Sequence, residues 1–400
     1  MVKMPLLEHI KSFHPSISLD NVLVIGCQHI LATTHSMLRS LYSLGLNPQN
    51  IFLLGKCYST NSSVWQEMRQ DGINVSPLSS FFDSNQAFDS QFRRIAAQFL
   101  EHTLSQVDLS KFNKIILIDD GGQLLSLSME FFKGYKNIIG IEQTTSGYEK
   151  INSSLLQFPV INVARSQAKL IYESPMIAEI VVKKALRRME MLRRNPEQIL
   201  IIGNGVIGSA IYAALHNDYE VQVYDKNMNS NLNFEDHLRS ADLIIGCTGE
   251  TSLPYGKFKY LKKGCVLFSA SSSDREFDAV HIRRKTKNIK NCHDDIAVEG
   301  KILLNCGFPV NFDGGRNSVA PSKIQLTRAL LMSAIFQACE MSGSPCEIVP
   351  LDMEMQRDVI SQYLQIHPMF IQSVGRLNKH TVKQKLLVAR KGKGPHQRSY

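Results

Sequence analysis

The stretch Gln198–Asp225 reads QILIIGNGVIGSAIYAALHNDYEVQVYD and decides the fold of this chain. Its apolar run Ile199–Ile202 predicts a buried strand that ends in a glycine-rich turn. An alanine-rich helical pattern follows, and a second strand-like run ends at the acidic residue. This order of strand, turn, helix and strand is the context in which dinucleotide-binding turns occur. We therefore predict a nucleotide-binding unit here.

The turn contains three glycines with different steric roles. Gly203 permits a tight turn, Gly205 lets the backbone approach a pyrophosphate at the helix N-terminus, and Gly208 lets helix and strand pack closely. Asp225 would accept hydrogen bonds from the ribose hydroxyls of NAD, and its charge would repel the 2′-phosphate of NADP. We predict NAD as the cofactor. The alternative is a glycine-rich turn that binds nothing.

Strand and helix patterns alternate along the whole chain. Strands are predicted at 21–26, 51–54, 115–118, 137–141, 159–163, 219–224, 241–247, 264–269 and, last, 302–306, and helices at 85–107, 175–195 and 321–341. This alternation predicts an α/β protein with two doubly wound parallel sheets, one in a substrate domain and one in a Rossmann domain. The predicted boundaries are 1–180 for the substrate domain, 181–318 for the NAD domain, 319–375 for return helices that complete the substrate domain, and 376–400 for a basic C-terminal tail.

Composition excludes several classes of protein. Among the 400 residues no run of about 18 uncharged apolar residues occurs, so we expect no membrane span. The N-terminus lacks the apolar core of a signal peptide. The eight cysteines are scattered without metal-ligand spacing, so we expect no metal site and reduced thiols. These features predict a cytoplasmic protein.

The net charge of +9 is concentrated in the tail. The last acidic residue is Asp358, and eight lysines and arginines follow it. Such a tail is typical of a solvated end that contacts nucleic acid weakly, or of a contact to a cofactor phosphate.

Polar side chains follow several strands of the first predicted sheet. His29, Asp120 and Thr144 each come shortly after a buried strand. Ligands of doubly wound sheets bind beyond the carboxyl ends of the strands, so these residues predict a polar cleft. Two other interpretations stay open: His29 could be a loop histidine bonded to backbone, and Asp120 could cap the following helix.

The chain resembles the S-adenosylhomocysteine hydrolase family over nearly its whole length. The similar motifs, in the same order, are Gly26-Cys27-Gln28-His29, Cys57-Tyr58-Ser59-Thr60-Asn61 in part, Asp119-Asp120-Gly121-Gly122, Glu142-Gln143-Thr144-Thr145-Ser146-Gly147, and Asn162-Val163 with Lys169 and Glu173. In that family, bound NAD transiently oxidises the ribose 3′-hydroxyl, which acidifies the C4′ proton and lets the 5′ thiol leave. The resemblance implies that Lys169 and Glu173 hold and deprotonate this hydroxyl. It also implies that Asp120 and His29 serve elimination and addition.

The resemblance also implies cofactor contacts and an oligomer. The implied NAD-binding residues are Thr144, Thr145, Ser146, Gly203, Gly205, Val206, Ile207, Gly208, Asp225, Thr248, Gly249 and Asn305. Family members end in a segment that reaches the NAD of a neighbouring subunit, and Lys391–Tyr400 looks similar, which implies a homodimer or homotetramer. For Thr144 and Thr145 the alternative is ordinary turn hydroxyls, and for Lys169 it is a solvated lysine.

The substrate side departs from the family pattern. Leu31 and Thr33 stand where the family reads adenine, Gln143 replaces a glutamate, and the segments Ser271–Asp274 and Phe308–Asp313 lack the family's histidines. A site without an acceptor for the base edge does not reject other bases. We therefore predict an NAD-dependent hydrolase or lyase acting on a nucleoside thioether or related ribosyl compound. The alternatives are an NAD-binding relative that acts through a partner protein and a simple NAD-dependent dehydrogenase.

Overall fold

The computed structural model describes residues 2–152, 155–227 and 234–367. The strands are β1 Val22–Cys27, β2 Ile51–Leu54, β3 Asn74–Val75, β4 Lys114–Asp119, β5 Ile138–Glu142, β6 Val160–Asn162, β7 Gln198–Ile202, β8 Glu220–Tyr224, β9 Leu243–Gly246, β10 Val266–Ser269, β11 Ile296–Val298, β12 Lys301–Leu303 and β13 Ile348–Pro350. The helices are α1 Pro5–Phe13, α2 Ala32–Ser40, α3 Ser62–Gln70, α4 Phe88–Gln106, α5 Gln123–Phe131, α6 Thr145–Asn152, α7 Gln167–Met191, α8 Val206–Leu215, α9 Phe234–Ser240, α10 Ala279–Lys285, α11 Pro321–Glu340 and α12 Met353–Ile366.

These strands form two separate sheets, which confirms the predicted fold class. The first sheet has the order β13-β6-β5-β4-β1-β2-β3, and its pairs are parallel. The second has the order β11-β12-β10-β9-β7-β8, with only the β11–β12 pair antiparallel. The chain changes direction across the first sheet between β1 and β4, and across the second between β7 and β9. A crevice for a ligand is expected at each switch point.

The first sheet is buried on both faces, as a parallel sheet must be. Side chains alternate across β1: Leu23 and Ile25 join the core beneath α4 and α5, whereas Val22 and Val24 join the core beneath α1, α2 and α11. Because both faces are buried, the positions of the strand ends are fixed, and so are the starting points of the loops that follow them.

Three details differ from the sequence-based predictions. The strand predicted at 302–306 ends at Leu303, because Asn305 and Cys306 adopt left-handed conformations with φ of 55° and 51° that an extended strand does not contain. The last strand is instead β13, a short edge strand that tolerates Pro350. Helix α7 begins at Gln167, upstream of the predicted start, and continues through Pro175.

Within the three described segments, no helix combines the length and the apolar character that crossing a membrane requires. The prediction about the basic tail at 376–400 lies outside the described residues.

Candidate functional site

The loops after β1, β2, β4 and β5 bring four polar side chains together at the first switch point. His29 Nε2 lies 3.3 Å from Asp120 Oδ2, and the ammonium of Lys56 forms an ion pair with the same carboxylate. The amide of Gln143 also donates a hydrogen bond to Asp120. His29 Nδ1 lies 2.6 Å from the hydroxyl oxygen of Ser59, so His29 is held by side chains.

Burial and charge act in opposite directions on this cluster. Burial alone would raise the pKa of Asp120, but the charges of His29 and Lys56 hold the pKa of this carboxyl well below its usual range. Burial lowers the pKa of His29, and Asp120 opposes that shift only in part. The cluster therefore presents an ionised carboxylate beside an imidazole that is neutral near pH 7 and can accept a proton.

This electrostatic arrangement predicts a titration that NMR can follow. The imidazole of His29 should titrate below its ordinary value of 6.5. Asp120→Asn should lower this pKa further, because the substitution removes the charge that favours the imidazolium. An unchanged or higher pKa of His29 in Asp120→Asn would contradict the coupling, and the exposed His102 provides an internal control.

A second pair of oppositely charged side chains lies on helix α7. Ser166 caps the helix by accepting a hydrogen bond from the backbone N–H of Lys169. One turn separates Lys169 from Glu173, and Nζ lies 3.2 Å from Oε2, with side chains only 14% and 16% exposed. Lys169 also donates a hydrogen bond to the backbone carbonyl of Gln143. Lys169 is therefore not a solvated lysine, and the pair adjoins the cluster around Asp120.

Sequence reasoning missed two cations of this site. Lys56, which directly follows β2, is almost fully buried, and its position after a strand could have identified it. Arg328 is 3% exposed and lies inside the apolar helix α11, where no sequence signal marks it. Burial lowers the pKa of Arg328 to about 10, opposed by the charges of Asp120 and Glu173.

Neighbouring acidic residues hold the loops in place. Asp119 Oδ2 accepts a hydrogen bond of 2.9 Å from the backbone N–H of Leu125 at the start of α5. Asp119, and not Asp120, therefore caps that helix. Glu142 accepts hydrogen bonds from Gly121, Gly122 and the backbone and hydroxyl of Thr144. The hydroxyl of Thr144 thus stabilises its own turn.

At the second switch point the three glycines occupy the sterically different positions that the motif predicts. Gly203 has a φ of +103°, and a Cβ on Gly208 would lie 2.0 Å from the carbonyl oxygen of Gly203. A Cβ on Gly205 would meet no atom within 4 Å. The turn is therefore packed tightly on one side and open on the side where α8 begins.

A cavity of about 340 Å³ lies against this turn. Its lining residues are Ile202, Gly203, Gly205, Tyr224, Asp225, Lys226, Asn227, Cys247, Thr248, Glu250, Thr251 and Ser252. Asp225 accepts backbone hydrogen bonds of 2.8 Å from Asn204 and 2.9 Å from Asn227. The cavity could hold a nucleotide whose phosphates meet the free N–H groups at the start of α8.

The other predicted cofactor residues lie at different places. Val206 is 58% exposed at the start of α8, and Ile207 is half-buried after it. The backbone N–H of Gly249 is held by Glu276. Thr145 is exposed at the start of α6. The amide of Asn305 donates hydrogen bonds to the carbonyls of Pro309 and Phe312, so Asn305 braces its own loop outside the cavity lining.

A cleft joins the two units. Its lining residues are Lys56, Tyr58, Phe88, Asp89, Phe92, Asp120, Gly121, Gln123, Ser146, Lys150, Ser272, Ser273 and Arg275, and its volume is about 20 Å³. Arg275 closes the cleft through an ion pair of 2.6 Å with Asp89. Asp274 adds to the closure by accepting the backbone N–H of Phe88 and pairing with the buried Arg283.

The segment Phe308–Asp313 covers the other side of His29. The ring of Phe312 lies 4.5 Å from the imidazole, between centroids. Beyond this segment, the side chain of Asn317 accepts a hydrogen bond from the backbone N–H of Thr33. The space bounded by Leu31, Tyr58 and Phe312 has no room for a further group.

Comparisons with known proteins place the chain among relatives. "Uncharacterized protein MT0113" of Mycobacterium tuberculosis (strain CDC 1551 / Oshkosh) and "Uncharacterized protein Rv0104" of M. tuberculosis (strain ATCC 25618 / H37Rv) are each 41% identical to it over 360 residues. The matches cover 87% of this chain and 71% of each relative. The chain belongs to the family of these two proteins. No protein-family model matches it.

Solved structures resemble the chain more distantly. A dipicolinate synthase from Bacillus halodurans matches with a TM-score of 0.44 and 12% identity, over 81% of this chain and 99% of that one. The D-isomer specific 2-hydroxyacid dehydrogenase from Lactobacillus delbrueckii ssp. bulgaricus, in its NAD-complexed form, matches with a TM-score of 0.35 and 13% identity, over 82% of this chain and 100% of that one. TM-scores below 0.5 do not establish a shared ligand or activity.

Proposed function

We propose that this protein is an NAD-dependent enzyme that oxidises a hydroxyl group of a small substrate bound at the first switch point. The observation that carries the proposal is the shared cleft. Residues that follow strands of the first sheet, such as Lys56 and Asp120, line it together with Ser272 and Arg275, which follow β10 of the second sheet. Proton-handling groups therefore face the unit that carries the nucleotide cavity.

The chain's own residues supply binding and proton transfer. The turn at Gly205 would hold the pyrophosphate, and Asp225 would hold the adenosine ribose. Bound NAD would supply the hydride acceptor. Lys169 and Glu173, which lie 3.2 Å apart, would together hold and deprotonate the reacting hydroxyl.

A second candidate is the hydrolase or lyase cycle of the adenosylhomocysteinase type. A specific observation favours it: the site holds two separate proton-handling pairs, Lys169 with Glu173 and His29 with Asp120. Oxidation of one hydroxyl needs one proton acceptor. Elimination and addition at a neighbouring carbon need a second proton acceptor, and His29 would provide it.

Absorbance in the NADH band distinguishes the candidates. The NAD-loaded protein is mixed with small hydroxy compounds and, separately, with nucleoside thioethers. Net accumulation of NADH supports the dehydrogenase, and a transient signal with product formation supports the hydrolase or lyase. No signal with any compound, despite bound NAD, favours a relative that acts by binding a partner protein.

The carboxylate of Asp225 should decide which dinucleotide binds. We expect wild-type protein to prefer NAD over NADP by about tenfold or more, because Asp225 repels the 2′-phosphate. The double variant Asp225→Ser with Asn227→Arg should relax this preference, since it exchanges a negative charge for a positive one at the cavity wall. Equal affinity of the unmodified protein for NAD and NADP, in calorimetric titrations, would contradict this role of Asp225.

A further inference from the structure

Arg328 is an unusual residue for the middle of a packed helix. It lies on α11 between Thr327 and Ala329, is 3% exposed, and its Nε has no hydrogen-bond partner among the described residues. The two carboxylates that act on it, Asp120 and Glu173, are already paired with Lys56 and Lys169. A buried guanidinium without a partner of its own destabilises a fold, so its position calls for a function.

The groups around Arg328 have unused hydrogen-bonding capacity as well. Within the described segments, Gln143 Oε1 is buried without a hydrogen-bond partner, and Glu173 Oε2 has only its ion pair with Lys169. Buried polar atoms normally have hydrogen-bond partners. A cluster of buried polar atoms without partners indicates a ligand that supplies the missing hydrogen bonds. These atoms belong to the same network as Lys169 and Asp120.

The charge of the cluster favours an anion. Three cations, Lys56, Lys169 and Arg328, face two carboxylates, while His29 is neutral near pH 7. Lys150 and Asp119 interact with the same groups and add one charge of each sign, while burial and the neighbouring Asp119 raise the pKa of Glu142 to about 8, so that Glu142 carries little charge near pH 7. The site therefore carries an excess positive charge that bulk solvent does not screen.

We propose that Arg328 binds an anionic oxygen group of the substrate, a carboxylate or a phosphate, and so restricts the enzyme to acidic hydroxy compounds. The statement that the anion belongs to a substrate rests on the proposed function, but binding of an anion at Arg328 can be tested without turnover. Guanidinium groups suit this task because their fork of donors matches the two oxygens of a carboxylate or phosphate. Lys169 would then act on a hydroxyl of the same molecule.

The test uses the full-length protein with sodium acetate and inorganic phosphate as probes, at constant ionic strength. The midpoint of thermal unfolding is measured against probe concentration for wild type, Arg328→Met, Arg328→Lys and the exposed control Arg357→Met. Wild type and Arg357→Met should be stabilised by at least one probe. In Arg328→Met the apparent affinity should fall about tenfold or more. Arg328→Lys should keep a weaker response, and the more effective probe identifies the kind of anion.

The stability of the probe-free variant gives a second readout. Arg328→Met should unfold at or above the wild-type temperature, because an unpaired buried charge has been removed. A lower unfolding temperature, or a probe response equal to that of wild type, would overturn the proposal and mark Arg328 as structural. A parallel titration with NAD separates the two claims: failure to bind NAD refutes the proposed function, whereas the anion response alone decides the role of Arg328.

Discussion

Replacing Lys169 with methionine should lower turnover by about 10²- to 10⁴-fold, the range over which a positioned acid or base contributes to a reaction. Lys169 is half-buried on α7, paired with Glu173 at 3.2 Å, and bonded to the carbonyl of Gln143 beside Asp120. Methionine keeps the length and most of the packing of the side chain but cannot carry a proton. The affinity for NAD should stay within about twofold, because this lysine lies at the first switch point, whereas the cavity in which we propose that NAD binds lies at the second.

The matched control for this substitution is Lys183→Met. Lys183 lies on the same helix but is exposed. It should retain wild-type turnover, measured as NADH formation with an active substrate. If Lys169→Met loses NAD together with turnover, the lysine is structural. If turnover is unchanged, Lys169 takes no part in the reaction.

Gly205→Val should weaken NAD binding by about a hundredfold, or ~2.8 kcal/mol, while leaving the fold intact. A side chain at this position meets no protein atom, and the backbone conformation of Gly205 is allowed for any residue. The added methyl groups would occupy the open space at the start of α8, where a pyrophosphate must approach the backbone. Calorimetry with NAD measures the affinity, and thermal unfolding reports on the fold.

Two other glycines serve as controls for this experiment. Gly256 also faces open space but is not among the residues that line the cavity at the second switch point. Gly256→Val should therefore change neither the affinity for NAD nor the thermal unfolding. Gly208→Ala should impair folding itself, because its Cβ would lie 2.0 Å from a carbonyl oxygen. Wild-type affinity for NAD in Gly205→Val would show that this turn binds no pyrophosphate.

The sequence predicts those parts of the fold that local patterns determine. The apolar runs before Gly203, His29 and Asp120 are strands, because buried parallel strands need unbroken apolar residues. The rule that ligands bind beyond strand ends then placed His29 and Asp120 at one crevice, and the structure brings them within 3.3 Å. The glycine spacing likewise predicts which of the three turn positions is open.

Features that depend on distant contacts could not be predicted in the same way. Nothing local distinguishes Asp119, which caps α5, from Asp120, which meets Lys56 and His29. In the sequence, Arg328 is one polar residue in a largely apolar helix. Only the packing of α11 beside α7 and the first sheet brings it near Asp120 and Glu173. The pairing of β13 with β6 joins segments almost two hundred residues apart, and so short a strand has little periodicity of its own.

The central claim is that the second switch point binds NAD, and the most direct test is a calorimetric titration of NAD into purified wild-type protein from which co-purified nucleotide has been removed. We predict saturable binding of one NAD per chain, with NADP binding at least about tenfold more weakly because of Asp225. Absence of saturable binding, or equal binding of NADP, would contradict this account.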